Sequence, residues 1–423
     1  MKRKLIAIAA IVLVLALLLT LAPSCGNGDE EVTPTPGFTP TPGVTPTPTP
    51  EAKTLKMGII LPLSGPAGAW GIQTEQGAVW AKDRINEAGG IKVGDDTYMI
   101  KFVKCDDKYI GSEGITCATR MVYDEQVHYV IGSIGVNVAI APMLTEGKVI
   151  NMGIGTASAA TVNPEHPYLL YSLQGFETWV NAFYKQFAKV HPEVKTVGVI
   201  GLVPDPSAAS VPLTVDAVET QMGAEVVAAV EHTAGTTDFY PFLTPIVAKN
   251  PDAIALYSQG VGSQALIIKQ ARELGYEGIL AASNHGEPLP GCAIAGNEAY
   301  TGVYHNEPVY DSDLYPEATR ALYAEFQKVY PGEPCGLCHY LGFSTVYFYK
   351  QAIETAGSID PDEALKVLDD PNWTYEWWGQ PGRSLGGLET FGIRRVNQDE
   401  TVLTSTDENC QKVPVSRELV TIP

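Results

Sequence analysis

Hydrophobic and polar positions divide the chain into three regimes. Leu5 to Leu21 is an apolar run broken only by Thr20. Thr33 to Pro50 reads TPTPGFTPTPGVTPTPTP, with proline at nearly every second position. From Lys53 onward, short aliphatic stretches alternate with amphipathic ones, the signature of parallel sheets covered by helices. The pattern predicts strands at Met57–Leu61, Tyr98–Val103, Tyr129–Gly132 and Val149–Met152, with helices at Thr74–Ala88 and Ser112–Asp124. Gly89-Gly90 ends the first of these helices, as glycine at a left-handed cap position does. After a break near Pro167 the rhythm restarts. Strands are expected at Thr196–Ile200, Glu225–Ala229, Ala253–Leu256 and Gly278–Ala281. They alternate with helices at Glu177–Lys189, Val211–Met222, Phe239–Lys249 and Gly262–Leu274.

A third section returns to helices, at Pro316–Tyr330 and Tyr340–Ala356. Asp360-Pro361-Asp362-Glu363 is a helix start, with an N-cap Asp, Pro at N1 and Glu at N3. Glycine and aromatic residues then dominate to the end. This section is too strand-poor to build a sheet of its own. It is expected to complete the two α/β units, so that the lobes are joined by more than one crossover.

The amino-terminal regimes concern targeting. Met1-Lys2-Arg3-Lys4 is a positive n-region ahead of the apolar run, and Ala22-Pro23-Ser24 leads into Cys25. That order is a secretory signal with Cys25 as the lipidation site. Leu21 stands four residues before the cysteine, where a lipobox has its leucine at three. Ala22 and Ser24 also satisfy ordinary signal peptidase, and an uncleaved anchor is the competing reading. The proline-rich stretch excludes helix and inner strand and favours polyproline II. At ~3.1 Å per residue it reaches roughly 55 Å.

About 370 residues remain, enough for two ordinary domains. A net charge of −20 argues against nucleic acid as a partner, since phosphate binding needs a basic stripe. Seven cysteines in an exported chain become six when Cys25 carries the lipid. Cys105 with Cys117, Cys292 with Cys410, and the CxxC of Cys335 and Cys338 are the disulfide candidates. A redox dithiol and half a zinc site are the sharper readings of the CxxC. His339 alone does not complete a zinc site.

Gly58-Ile59-Ile60-Leu61-Pro62-Leu63-Ser64-Gly65, with Ala69 and Gly71, and then Gly77 and Ile85-Asn86-Glu87-Ala88-Gly89-Gly90-Ile91, resembles the opening of the type I periplasmic binding proteins. The resemblance is to the leucine/isoleucine/valine-binding branch that feeds ABC importers. It continues through Val130-Ile131-Gly132, Thr237-Asp238-Phe239, Gln270 to Gly275 and Ala352 to Gly357. It implies an α/β fold of two Rossmann-like lobes joined by a multi-strand hinge, and a ligand held between them without bond chemistry. The expected organisation is a signal peptide (1–24) and a lipid-anchored Thr/Pro-rich linker (25–52). Lobe 1 then takes 53–172 and 304–388, and lobe 2 takes 173–303 and 389–423.

In an open α/β sheet, ligands sit beyond the carboxyl ends of the strands, where helix N-termini offer N–H groups to a carboxylate. In lobe 1 the resemblance places an amino-acid carboxylate at Asn137, Gly155, Thr156 and Ala157, with Trp70 packing on the ligand. Turn and capping chemistry is the bland reading of Asn137 and Thr156. In lobe 2 the family's Tyr-Gly is replaced by Val203-Pro204-Asp205-Pro206-Ser207, so Asp205 or Ser207 must substitute, beside Ser258. The family's acidic partner for a ligand ammonium falls at Ser283-Asn284-His285-Gly286-Glu287. A Glu287 contact implies a cationic group, whereas a His285 contact suits a neutral or anionic one.

No GxSxG, HExxH or GxxxxGKS motif is present, and the seven histidines show no ligand spacing. Neither catalytic residues, a metal nor a cofactor is expected. The cluster Trp373, Tyr375, Trp377 and Trp378 reads as local packing rather than a carbohydrate platform. The functional expectation is an extracytoplasmic substrate-binding lipoprotein of an ABC importer, anchored to the cell membrane, with a small solute and the permease subunits as partners. A ligand sensor for a membrane receptor and a surface redox protein are the alternatives.

Overall fold

The computed structural model describes residues 52–65, 67–133, 135–156, 165–173, 176–203, 210–233, 235–257, 260–283, 288–370, 372–377, 380–383 and 400–419. The leader, Cys25 and the proline-rich stretch lie outside them. Among the described residues no helix is long and apolar enough to cross a membrane.

Strands β1 (Lys53–Leu61), β2 (Ile91–Val93), β3 (Asp96–Asp106), β4 (Tyr129–Gly132), β5 (Ile150–Thr156) and β6 (Leu169–Leu173) form a sheet in the order β2-β3-β1-β4-β5-β6. Only the β2–β3 pairing is antiparallel. The second sheet takes β7 (Thr196–Leu202), β8 (Glu225–His232), β9 (Ala253–Tyr257), β10 (Ile279–Ala282), β11 (Tyr304–Asn306), β14 (Glu400–Thr406) and β15 (Lys412–Leu419). Its order is β15-β14-β11-β10-β9-β7-β8. The aliphatic runs of β4, β7 and β9 are almost wholly buried, as strands covered on both faces must be. A small hairpin, β12 (Thr374–Trp377) with β13 (Gln380–Arg383), stands apart.

Helix α1 (Gly68–Glu87) and helix α11 (Leu337–Ala356) cross on the first sheet at van der Waals distance between backbones. A Cβ at Gly77 would meet the His339 carbonyl oxygen at 2.0 Å, and one at Gly342 would meet that of Thr74 at 2.0 Å. Trp80 lies against Phe343 (4.3 Å) and Phe326 (5.7 Å) beside this crossing. Helix α12 (Pro361–Leu368) starts as read, with the Asp360 carboxylate accepting from the Asp362 N–H.

The third section divides between the sheets. Helix α10 (Glu317–Val329), α11 and α12 sit with the first sheet, while β14 and β15 extend the second. Tyr304–Asn306 pairs with β10 and β14 in the second sheet, so the chain leaves that sheet after residue 306. Trp373 and Tyr375 pack on Phe348 at 5.6 and 5.2 Å, a local cluster as expected. The side chain of Trp377, and all of Trp378, are not described.

Two of the expected disulfides are present, Cys105–Cys117 and Cys292–Cys410. The third is corrected: Cys335 and Cys338 are buried thiols, not a cystine. Gly336, extended at φ −89° and ψ 177°, caps α11 and leaves Cys335 outside the helix while Cys338 sits in its first turn. The Cys335 Sγ lies 4.0 Å from the Gly336 carbonyl oxygen.

Candidate ligand-binding cleft

Strand order reverses around β1 in the first sheet and around β7 in the second. Loops leaving strands on either side of such a reversal diverge and open a crevice at the carboxyl ends. In the first sheet these are the loops after β1 and β4. In the second they follow β7 and β9.

The loop after β1 is held by Asp106 at the end of β3. Its Oδ1 accepts from the Leu63 N–H at 2.8 Å and the Lys108 N–H at 2.9 Å, and its Oδ2 from the Ser64 hydroxyl at 2.6 Å. Burial pushes the Asp106 carboxyl upward, but the bonds from Ser64, Lys108 and Leu63 outweigh it and the net displacement is down. Gly71 has no Cβ to strike the Pro62 carbonyl oxygen, which one would approach to 2.0 Å. The first turn of α1 therefore lies against the end of β1. Trp70 sits in that turn, half-buried, with its carbonyl accepting from the Thr74 hydroxyl at 2.9 Å.

Helix α3 (Asn137–Glu146) begins just after β4. Asn137 is buried at 4% exposure, and its side-chain amide is used inside the protein. Its Nδ2 donates to the Ser133 carbonyl, and its Oδ1 accepts from Asn151 Nδ2 at 3.2 Å. Gly132 and Gly153 stand opposite each other in register and leave the room for this amide pair. A Cβ on Gly132 would meet Asn151 Oδ1 at 1.9 Å, and one on Gly153 would meet Asn137 Nδ2 at 2.6 Å. The side chain thus fixes the entry to α3. The first-turn N–H groups of α3 carry the helix's partial positive charge. Gly155 and Thr156 are the last residues of β5, with Thr156 in register with Leu173. Ala157 lies outside the described residues.

Sequence reasoning passed over the turn after β3. Lys108 (φ 53°) and Tyr109 (φ 64°) are both left-handed, and the Ile110 N–H closes the turn onto the Asp107 carbonyl at 2.8 Å. Two such non-glycine residues cost of order 1 kcal/mol each. The Asp107 Oδ1, accepting from the Tyr109 N–H at 2.7 Å, offsets part of this. Burial raises the Asp107 carboxyl, against the Ser133 hydroxyl and the Tyr109 N–H. The Tyr109 ring covers Gly135, where a Cβ would lie 2.3 Å from it. The Asp106-Asp107 doublet at a strand end was the available signal, since paired aspartates favour such turns.

In the second sheet, β10 ends at Ala282, and the carbonyl of the next residue, Ser283, accepts from the indole N–H of Trp179 on helix α4 (Phe176–Val190). Both residues are buried. Asp205, Ser207, Ser258, His285 and Glu287 lie outside the described residues; of the expected site, the structure describes Trp70 after β1, Asn137 after β4, and Gly155 and Thr156 at the end of β5.

Residues 54–382 match the Periplasmic binding protein family. The chain is 27% identical over 323 residues to "Leu/Ile/Val-binding protein homolog 3" of Brucella melitensis, covering 75% of this chain and 83% of that one. It is 23% identical over 322 residues to the "Leucine-, isoleucine-, valine-, threonine-, and alanine-binding protein" of Pseudomonas aeruginosa, covering 75% and 82%. Among solved structures, the substrate-binding protein LivJ of Streptococcus pneumoniae in complex with isoleucine aligns with a TM-score of 0.72 at 20% identity, over 87% of this chain and 99% of that one. A solute-binding protein from R. palustris in complex with benzoate aligns at 0.70 and 16%, over 87% and 97%. The two solved structures share the two-sheet α/β fold described above, and all four proteins are named as binding proteins rather than enzymes. The chain belongs to the periplasmic binding protein family.

Proposed function

We propose that this chain is the extracytoplasmic substrate-binding lipoprotein of an ABC importer, anchored through Cys25, that captures a small solute bearing a carboxylate. The observation that carries the reading is the family match across 54–382 together with relatives named for branched-chain amino acids over most of their length. The site chemistry is compatible with it. The α3 N-terminus and the end of β5 offer N–H groups to an anion, and the loop after β1 leads to Trp70, whose indole is an apolar face. Because the Asn137 amide is bound to Ser133 and Asn151, its part in this reading is backbone donation and the shaping of the turn. Gly155, Thr156 and Ala157 complete the carboxylate side, and Asp205, Ser207, Ser258 and His285 or Glu287 supply the other lobe. The ligand then favours the closed arrangement that the permease reads.

The test is a thermal-shift screen of the purified full chain, refolded to strip carried-over ligand, against amino acids, short amides, aromatic acids and sugars. A ligand at 100 times its Kd adds ~2.7 kcal/mol of stability. Stabilisation by aliphatic amino acids is the expected result and points to Glu287 as the ammonium partner. Response to acids or amides alone would replace the amino acid as ligand, and response to none would overturn the reading.

A further inference from the structure

Cys335 and Cys410 line one cavity of about 120 Å³, together with Pro308, Tyr310, Tyr323 and Lys412. Its walls come from both halves of the molecule. Cys335 precedes α11, which packs on α1 over the first sheet, whereas Cys410 is in the turn between β14 and β15 of the second. Pro308 and Tyr310 belong to the segment that passes between them. Cys410 is bonded to Cys292 on helix α8 (Pro288–Ala295) and holds a left-handed backbone at φ 60°. The cavity thus has a thiol of one half and a disulfide of the other on its walls.

The second thiol is where a resolving cysteine is needed. Cys338 lies in the first turn of α11, a helix of 20 residues, and Cys335 lies just before its cap. A helix N-terminus and the Lys412 ammonium on the cavity wall favour a thiolate over a thiol, while Glu307, which binds both Lys412 (2.8 Å) and the Leu337 N–H (3.2 Å), and Asp311 on the same wall oppose it. Burial of both thiols opposes ionisation, so exchange here is slow and pH-dependent rather than instantaneous.

We propose that Cys335 and Cys338 form a dithiol that exchanges with the Cys292–Cys410 disulfide and, at the intermediate stage, ties the two halves of the protein together. Cys335 gives its proton to solvent and its thiolate attacks the Cys410 sulfur. The Cys292–Cys410 bond breaks, a Cys335–Cys410 bond forms, and Cys292 leaves as a thiolate that takes up a proton. Cys338 then attacks Cys335, forming Cys335–Cys338 and releasing Cys410 as a thiol. One disulfide and two thiols are present at every stage, so no external oxidant is consumed. The intermediate bond spans the passage between the sheets and would hold their relative orientation until Cys338 resolves it.

The experiment is disulfide mapping of the full chain, purified without reductant and held under argon at pH 8 for graded times. Samples are acid-quenched, alkylated, digested and read by mass spectrometry. Wild-type protein is expected to lose the Cys292–Cys410 peptide pair and gain Cys335–Cys338 without change in total thiol content. Cys338→Ser is expected to accumulate Cys335–Cys410, and Cys335→Ser to keep Cys292–Cys410 throughout. Persistence of Cys292–Cys410 alone in both wild type and Cys338→Ser would overturn the proposal. So would a wild-type chain that gains Cys335–Cys338 only on admitting air while Cys292–Cys410 stays intact, because that is simple oxidation. The wild-type time course guards against a Cys338→Ser variant that misfolds.

Discussion

The ammonium of Lys412 on β15 lies 2.8 Å from the carboxylate of Glu307, just past β11, and both side chains are nearly removed from water. The same Glu307 oxygen accepts from the Leu337 N–H at 3.2 Å, at the first residue of α11. One carboxylate therefore neutralises a buried cation of the second sheet and satisfies an end group of a helix on the first. Removing a single partner strands the other charge. Lys412→Met should cost about 3–5 kcal/mol at pH 7, because it leaves the buried carboxylate without its cation. Glu307→Gln with Lys412→Met together should cost much less than either alone. Urea unfolding of the three variants at pH 7 tests this; a double-variant cost equal to the sum of the two single costs would show that the pair is not coupled.

The α1–α11 crossing tolerates no side chain at Gly342. Alanine normally favours a helix over glycine by ~1 kcal/mol. Here the new Cβ would sit 2.0 Å from the Thr74 carbonyl oxygen, a backbone atom that no rotamer change can move. Overpacking of this kind costs ~1–3 kcal/mol or more, so the clash decides the sign. Gly342→Ala should lower the unfolding midpoint, whereas Gly357→Ala is strained for a different reason, its left-handed φ of 64° with open space around it. A Gly342→Ala protein as stable as wild type would mean that the helices can part freely.

His305 makes the protein acid-sensitive. It is fully buried, stacks on Tyr300 at 5.4 Å, and has no hydrogen-bond partner at either ring nitrogen. Burial pulls its pKa down to about 3, with Glu307 opposing and Lys412 adding to the fall. Above pH ~6.5 the ring is neutral in both folded and unfolded chains and contributes no pH dependence. Below that value the unfolded chain takes up a proton that the folded one refuses. Stability then falls by ~1.4 kcal/mol per pH unit until the folded value is reached. His339, pulled down to about 4 mainly by burial, adds a second loss over the upper part of that window. His305→Phe should match wild type or better at pH 7 and lose stability less steeply between pH 6 and pH 4. Parallel pH profiles for the two proteins would remove His305 as the cause.

The parallel core was legible because its strands are continuous aliphatic runs and its helices carry apolar positions at helical spacing. Tyr129–Gly132 was read to the residue, and the Asp360-Pro361 helix start was read correctly. The strands that escaped are short or half-exposed. Tyr304–Asn306 spans three residues, and Ile91–Val93 pairs only at an edge. Lys412–Leu419 is an edge strand whose Pro414 argues against a strand unless, as here, the ladder slips beside it at Leu403/Thr404. At the site, Trp70 was read from the family resemblance, at the end of a loop that the strand order puts at the carboxyl end of β1. Asn137 was left open between ligand contact and capping chemistry, because nothing in sequence reveals that Gly132 and Gly153 leave a slot for its amide. The Lys108–Tyr109 turn was passed over because neither residue advertises a left-handed backbone, and its only signal was the preceding Asp106-Asp107 doublet.

Trp70 provides the most direct test of the binding reading. It lies in the first turn of α1 and is only half-buried, and Gly71, not the indole, sets the approach of the helix to Pro62. Its one hydrogen bond to Thr74 uses the backbone carbonyl, which substitution leaves in place. Trp70→Ala should therefore leave the unfolding midpoint within about 1 kcal/mol of wild type. If the ring covers an aliphatic or aromatic ligand, losing that apolar contact should weaken binding by ~1–3 kcal/mol, or about 10- to 100-fold in Kd. Trp70→Phe should recover most of the loss, because it restores an apolar face without the indole N–H. Isothermal titration of the three proteins with the solute identified by thermal shift decides the matter. Unchanged affinity in Trp70→Ala would move the ligand away from the end of β1, toward the loops after β4 and β5.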